Sequence, residues 1–250
     1  ATFADRARIG WGWSHSLAHF LRIEGKRVLY MAGDGSEQQL ALPGAGERVA
    51  GAFDQTIYRD PVGYLHIEDD DEELIYDFAP IDATNIDWAL TRVRNRAGNA
   101  IELQYANGFV VGIVDPAGRT YRLQYDRSGR LAAIELEETL GSAAWVPLVS
   151  YTYSPEGDLV LATDAEGHSR RYAYSEHMLL SHADRNGLAF HYRYDTHAPH
   201  GRCIETWGAY SGADPALSPT LPRSFHTHRG SVKVKGIFHR VFFYGQDGTT

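Results

Sequence analysis

The chain has 250 residues, 43% hydrophobic and 22% charged, with a net charge of −8 and a single cysteine, Cys203. The acidic balance argues against a nucleic-acid partner, because affinity for phosphates rests on Lys and Arg. No apolar run approaches the roughly 20 residues needed to span a bilayer as a helix, and one cysteine excludes an intrachain disulfide framework. The aromatic residues are led by Tyr, with 15 Tyr against 10 Phe and 5 Trp, and Gly is abundant at 25. Aromatics fit a pleated surface and Gly accepts positive φ, so short strands joined by tight turns are the expected structure.

In chain order, Trp11 to Phe78 reads as a series of hairpins. Val28-Leu29-Tyr30-Met31 leads into the turn Gly33-Asp34-Gly35, and Gln39-Leu40-Ala41-Leu42 runs away from it. Gly63 to Ile67 is expected to pair with Leu74 to Phe78 across the acidic run Asp69 to Glu73, read as a solvated hairpin tip. Then a period appears. Gly98 to Gly118, Tyr105 to Tyr125, Asp164 to Asp184, Gly167 to Gly187 and Tyr174 to Tyr194 are each 20 residues apart. The unit is an Asp-x-x-Gly turn, an alternating strand ending in Tyr, a second turn and a second apolar strand.

The turns starting at Asp115, Asp126, Asp164 and Asp184 close on Gly118, Gly129, Gly167 and Gly187. Asp accepts hydrogen bonds from the backbone just ahead, and Gly takes a left-handed conformation without a Cβ clash. Between turns the period is two. Ile101, Leu103 and Tyr105 share a face, as do Tyr121, Leu123 and Tyr125, and Phe190, Tyr192 and Tyr194. Arg122 and Gln124 lie on the opposite face, expected to be wet. A unit of two short strands cannot bury its own apolar face, so units must stack side by side. The tyrosine face is therefore expected to be covered.

The segment Tyr125-Asp126-Arg127-Ser128-Gly129-Arg130-Leu131 resembles the YD repeat of the Rhs (rearrangement hot spot) proteins. Gly10-Trp11-Gly12-Trp13-Ser14 is similar to the start of an Rhs core, and Gly201-Arg202-Cys203-Ile204-Glu205-Thr206-Trp207-Gly208 resembles a segment after the early repeats of bacterial members. There are departures: only Tyr125-Asp126 and Tyr194-Asp195 keep the literal pair, Leu136 to Pro147 is an insertion, and His177-Met178-Leu179-Leu180 lacks the Gly expected in its turn. The resemblance implies an all-β fold of tandem antiparallel hairpin (YD) repeats. Their curved sheet spiral would form part of a hollow cocoon-like shell around a C-terminal toxin. It implies as partners the remainder of the same polypeptide, the enclosed toxin and, through regions absent here, a secretion spike protein and a chaperone. It implies residence in the bacterial cytoplasm before export, followed by secretion. No segment matches the family's autoproteolytic motif. The opening at Ala1-Thr2-Phe3 and the close at Asp247-Gly248-Thr249-Thr250 read as cut ends.

The expected organisation is an N-terminal hairpin region over 1–80, repeats over 81–195, an irregular segment over 196–230, with Gly208 to Pro222 a long loop, and the start of a further repeat over 231–250. The residues singled out are repeat positions: Gly98, Tyr105, Asp115, Gly118, Tyr125, Asp126, Gly129, Asp164, Gly167, Tyr174, Asp184, Gly187 and Tyr194. Catalytic, cofactor and metal sites are not expected. His197, His200 and Cys203 are spaced like three zinc ligands but lack a fourth, and Glu135, Glu137 and Glu138 read as strand-edge carboxylates. The rival reading is a cell-surface adhesion or carbohydrate-binding β-repeat module, which would expose several tyrosine rings in one groove.

Overall fold

The computed structural model describes residues 7–52, 54–198, 200–210 and 224–245. The expected loop from Gly208 to Pro222 falls mostly outside the described residues, and the expected closing turn from Asp247 lies outside them. Among the described residues the elements are strands, with Ala7 alone helical, and the chain divides into two compact units, 1–150 and 151–250. That division falls inside the repeats expected over 81–195.

The first unit holds β1 (Phe20–Glu24), β2 (Arg27–Met31), β3 (Glu37–Ala41), β4 (Arg48–Ala50), β5 (Gln55–Arg59), β6 (Leu65–Asp69), β7 (Leu74–Pro80), β8 (Asp87–Asn95), β9 (Ala100–Ala106), β10 (Phe109–Val114), β11 (Thr120–Tyr125) and β12 (Leu131–Glu137). β13 (Trp145–Tyr153) crosses the division. The first eight strands lie in the order β4-β5-β6-β7-β8-β1-β2-β3, all pairs antiparallel. Val28 pairs with Leu40, and Leu65 to Asp69 pairs with Phe78 to Leu74, the two hairpins expected from sequence. Alternate residues of these strands point to one side. Leu21, Val28, Tyr30, Ile57, Leu65, Ile67, Phe78 and Leu90 form a core with almost no exposure. A fully buried Leu, Ile or Phe contributes about 1.5–3 kcal/mol, so this core carries most of the unit's stability.

β8 is a fork. Its first residues, Asp87 to Ala89, pair with β1, while Arg92 to Arg94 pair with β9. From β9 onward the chain is a plain meander, each strand pairing with the next through β12 to β13. The insertion from Leu136 to Pro147 lengthens this last hairpin. Its tip sits between Glu137 and Trp145, and both flanks are strand.

The second unit holds the end of β13 with β14 (Leu159–Asp164), β15 (Ser169–Ser175), β16 (Met178–Ala183), β17 (Leu188–Tyr194), β18 (Cys203–Tyr210), β19 (Ser224–Thr227), β20 (Gly230–Lys233) and β21 (Phe238–Val241). β14 to β18 again form a meander, and β21 pairs along β18. Nineteen of the strands are counted in one sheet, while β19 and β20 make a separate hairpin.

Candidate functional site: the seams between hairpins

The repeat positions come together as two devices, a turn and a seam. In each of the four Asp-x-x-Gly turns the carboxylate Oδ1 accepts from the backbone N–H groups two and four residues ahead, at 2.8–3.0 Å. The Gly N–H donates to the Asp carbonyl in every case. Gly118, Gly129, Gly167 and Gly187 have φ between 75° and 83°. Gly98, at φ 87°, closes the same kind of turn on Asn95, whose Oδ1 accepts from Asn99 N at 3.0 Å. Arg119 and Arg130 complete two of the turns by pairing with Oδ2 of Asp115 and Asp126, and these hydrogen bonds help hold both carboxyls below the usual range. The Asp-x-x-Gly carboxylates are thus spent on their own backbone.

The second device is the strand-ending tyrosine. Tyr105 OH donates to Leu90 O at 2.7 Å, Tyr125 OH to Val110 O at 2.9 Å and Tyr194 OH to Leu179 O at 2.9 Å, each reaching back 15 residues. In all three the accepting carbonyl immediately precedes a β-bulge, at Thr91, Val111 and Leu180. A bulge leaves backbone polar groups without a ladder partner, and an unpaired buried carbonyl is costly. The phenol supplies the missing donor. Tyr244 repeats the device at 2.8 Å on Cys203 O, which precedes the bulge at Ile204. Tyr174 is a half-buried residue of β15.

The tyrosine rings are less covered than the sequence suggests. Tyr105 is 40% exposed, and Tyr121, Tyr125 and Tyr194 are half-buried. A shortage of apolar cover forces this, since among the described strands from β9 onward Leu103, Leu131 and Leu159 are the buried hydrophobic residues. The hydroxyls are nonetheless desolvated, which pushes the Tyr105 and Tyr125 phenols up. The face expected to be wet is exposed at Gln124 and also carries polar contacts: Arg122 donates to Glu135, and its guanidinium lies 4.4 Å from the ring centroid of Trp145, brought there by the lengthened β13. Glu135 is accordingly an ion-pair partner rather than a free edge carboxylate.

Three other departures have local causes. The β15–β16 turn dispenses with Gly by placing Glu176 and His177 at φ 49° and 65°, the arrangement of a two-residue hairpin turn. His177 Nδ1 is 2.9 Å from Oδ1 of the buried Asp158, which ties that turn down. The acidic run is not wholly solvated, since Asp69 is buried and accepts from Gln55 Nε2 at 2.7 Å and Glu72 N at 3.0 Å. Cys203 Sγ donates to Glu205 O at 3.5 Å. Among the described residues no group of three His, Cys, Asp or Glu could hold a metal ion.

Two polar centres went unread in the sequence. On the outer face of the first unit, residues in cross-strand register form a row: Arg48, Tyr58, His66, Asp77, Arg92 and Glu102. His66 Nδ1 lies 2.7 Å from Asp77 Oδ1, and Asp77 Oδ2 accepts from Arg92 Nε at 2.7 Å and Arg94 Nε at 2.9 Å. Burial alone would raise the Asp77 carboxyl, but these partners outweigh it and hold it far down. A groove of about 410 Å³ runs along this row. In the second unit Glu205, 3% exposed, receives Arg193 Nε at 2.6 Å, Lys235 Nζ at 2.7 Å and His239 Nε2 at 2.8 Å. Burial is again outweighed, and the carboxyl stands at about 2. Glu205 fastens β17 and β21 to opposite edges of β18.

Residues 105–139, which contain two of these turns and two of these tyrosines, match the RHS Repeat family. The chain thus carries an Rhs/YD repeat over these residues. It is 32% identical over 184 residues to Toxin protein Tse5 of Pseudomonas aeruginosa, covering 64% of this chain and 13% of that one. It is 29% identical over 206 residues to Double-stranded DNA deaminase toxin A of Burkholderia cenocepacia, covering 79% of this chain and 14% of that one. The chain therefore spans less than a sixth of either relative. Among solved structures, the Photorhabdus luminescens Tc holotoxin pore carrying a TccC3 mutation aligns over 74% of this chain and 10% of that chain, with 16% identity and a TM-score of 0.38.

Proposed function

We propose that this chain is a wall segment of an Rhs toxin shell: a non-catalytic part of a larger bacterial effector that encloses a toxin carried elsewhere in the same polypeptide. The observation that carries the reading is the seam. Each clasped tyrosine binds its hairpin to the one before, so the motif extends by addition and has no built-in end. Such a motif makes wall. The likeness to two toxins, each of which this chain spans by less than a sixth, supports a role as one stretch of a longer toxin polypeptide. In this reading catalysis and self-cleavage belong to other parts of the parent chain. Its partners are the remaining repeats and the enclosed toxin, with a secretion spike protein and chaperone engaged through other regions. The parent is made in the bacterial cytoplasm and exported, in the manner of a type VI secretion effector.

Limited proteolysis of the parent polypeptide tests this. The toxin region is expected to resist protease in the native chain, and to become sensitive when Tyr105, Tyr125 and Tyr194 are all changed to Phe under mild destabilising conditions. Equal digestion of the toxin region in both proteins, or its digestion in the native chain, would refute enclosure.

A further inference from the structure

Residues 7–19 form no strand, yet they are held at both ends against the first unit. At one end Arg8 O accepts from Leu131 N at 2.7 Å, Arg8 Nη1 donates to Gly129 O at 3.4 Å, and the guanidinium lies 4.0 Å from the Phe109 ring centroid. Ala7 and Ile9 are buried beside it. At the other end His19 stacks on Tyr76 with centroids 4.3 Å apart, and its Nδ1 is 2.7 Å from the hydroxyl of the fully buried Tyr30. Its Nε2 is 3.1 Å from Ser16 O. A carbonyl can only accept, so Nε2 carries the hydrogen and Nδ1 accepts from Tyr30 OH. The backbone closes tightly over this point, where a Cβ on Gly33 would stand 2.9 Å from both His19 Nε2 and His15 O.

We propose that residues 7–19 are an acid-released strap, clasped at one end by His19 on Tyr30 and at the other by Arg8 on the β11–β12 turn. Protonation turns His19 Nδ1 from acceptor into donor. Tyr30 OH must then rotate to accept, and its own hydrogen loses its partner in a buried site. The groups facing the imidazole are Tyr30 from β2, Tyr76 from β7, Glu72 from the β6–β7 turn, Asp34 from the β2–β3 turn and His15 from the strap itself. Glu72 and Asp34 favour the cation and His15 opposes it, and burial outweighs them all, holding His19 at about 4 against an ordinary 6.5. Burial lowers His15 as well. A released strap returns His19 to water and to its ordinary value, so acid favours release. Between pH 7 and 5 the equilibrium shifts by about 20-fold from His19 alone.

Amide hydrogen exchange on the intact chain reads this directly, because the Leu131 N–H is bonded to the strap. Corrected for intrinsic rates, Leu131 protection should fall about 20-fold from pH 7 to pH 5 relative to the core amides of β6. In His19→Gln, which keeps a donor and an acceptor but does not titrate, the fall should shrink to the smaller part that His15 contributes. A Leu131-to-β6 ratio that does not change with pH overturns the proposal, as does a pH response of undiminished size in His19→Gln. Should that variant not fold, the ratio in the native chain still decides.

Discussion

Strands β1 to β8 and the hairpins from β9 onward are built from the same antiparallel pairs but are stabilised at different links. The first group closes around side chains that water does not reach, among them Tyr30, Phe78, Leu21, Ile57 and Ile67. The second leaves its rings half-covered and relies on directional polar contacts: the Asp carboxylate in the turn, the tyrosine hydroxyl at the bulge, and the Glu205 centre. Hydrophobic burial is non-directional and sums over area, so it can close a group of strands on itself without fixing how one hairpin meets the next. A hydroxyl aimed at one carbonyl fixes that meeting and adds little energy. The repeat hairpins therefore have a set register and a modest stability of their own.

Substitution should expose this division. Phe78→Ala is expected to cost about 3–5 kcal/mol in chemical denaturation, because it opens a cavity in a fully buried site. Tyr125→Ala should cost closer to 2 kcal/mol, since the ring is only half-buried; equal losses at the two positions would erase the distinction. Glu205→Gln should cost about 3 kcal/mol by stranding Arg193, Lys235 and His239 around a neutral group.

Acid should separate the same regions. The folded pKa of His19 is lowered to about 4 from 6.5. The unfolded chain therefore binds more protons across that window, and stability falls as pH drops from 6.5 to about 4, by roughly 3 kcal/mol in all. Glu205 is depressed to about 2 from 4.5, so its contribution is whole above pH 4.5 and is lost as pH falls through about 2. Urea midpoints against pH should flatten above pH 4 in His19→Gln, and only below pH 4.5 in Glu205→Gln. The opposite assignment would invert the comparison.

Two smaller effects sharpen it. Gly129→Ala should cost about 2 kcal/mol and Gly118→Ala about 1 kcal/mol: both have positive φ, but only Gly129 faces neighbours, with Arg8 and Phe109 atoms 3.2–3.4 Å from an added Cβ. Tyr125→Phe, which removes only the hydroxyl, should cost about 1 kcal/mol by thermal melt. No loss at all would mean that water serves the Val110 carbonyl equally well.

The turns were legible because their chemistry is local: Asp and Gly three residues apart set both the hydrogen bonds and the sign of φ. The β6–β7 hairpin was legible for the same reason, as alternating strands flank an obvious polar tip. The bulges were not. An extra residue at Thr91, Val111 or Leu180 leaves no compositional mark, so the sequence offered Tyr as apolar cover and hid its hydroxyl's task. The contact of Arg122 with Trp145 was not legible, because that ring comes from the insertion. Glu205 joins residues 12 to 34 positions away, and the row through His66 and Asp77 depends on a register across six strands. A possible sign was a lone acid in an otherwise apolar strand, Asp77 between Tyr76 and Phe78.

The reach of 15 residues from Tyr105, Tyr125 and Tyr194 to the preceding bulge bears on how such a chain can change length over generations. A single residue gained or lost inside a strand would flip every later side chain to the other face and pull the phenol off its carbonyl. Gains at a hairpin tip do neither. The stretch between Glu137 and Trp145 and the one between Asp195 and Arg202 are both such tips, and Tyr244 finds the carbonyl of Cys203 from 41 residues away. Viable variation in length is thus channelled to the tips or to whole hairpins, and recombination between copies of the repeat would be tolerated wherever it conserves that count.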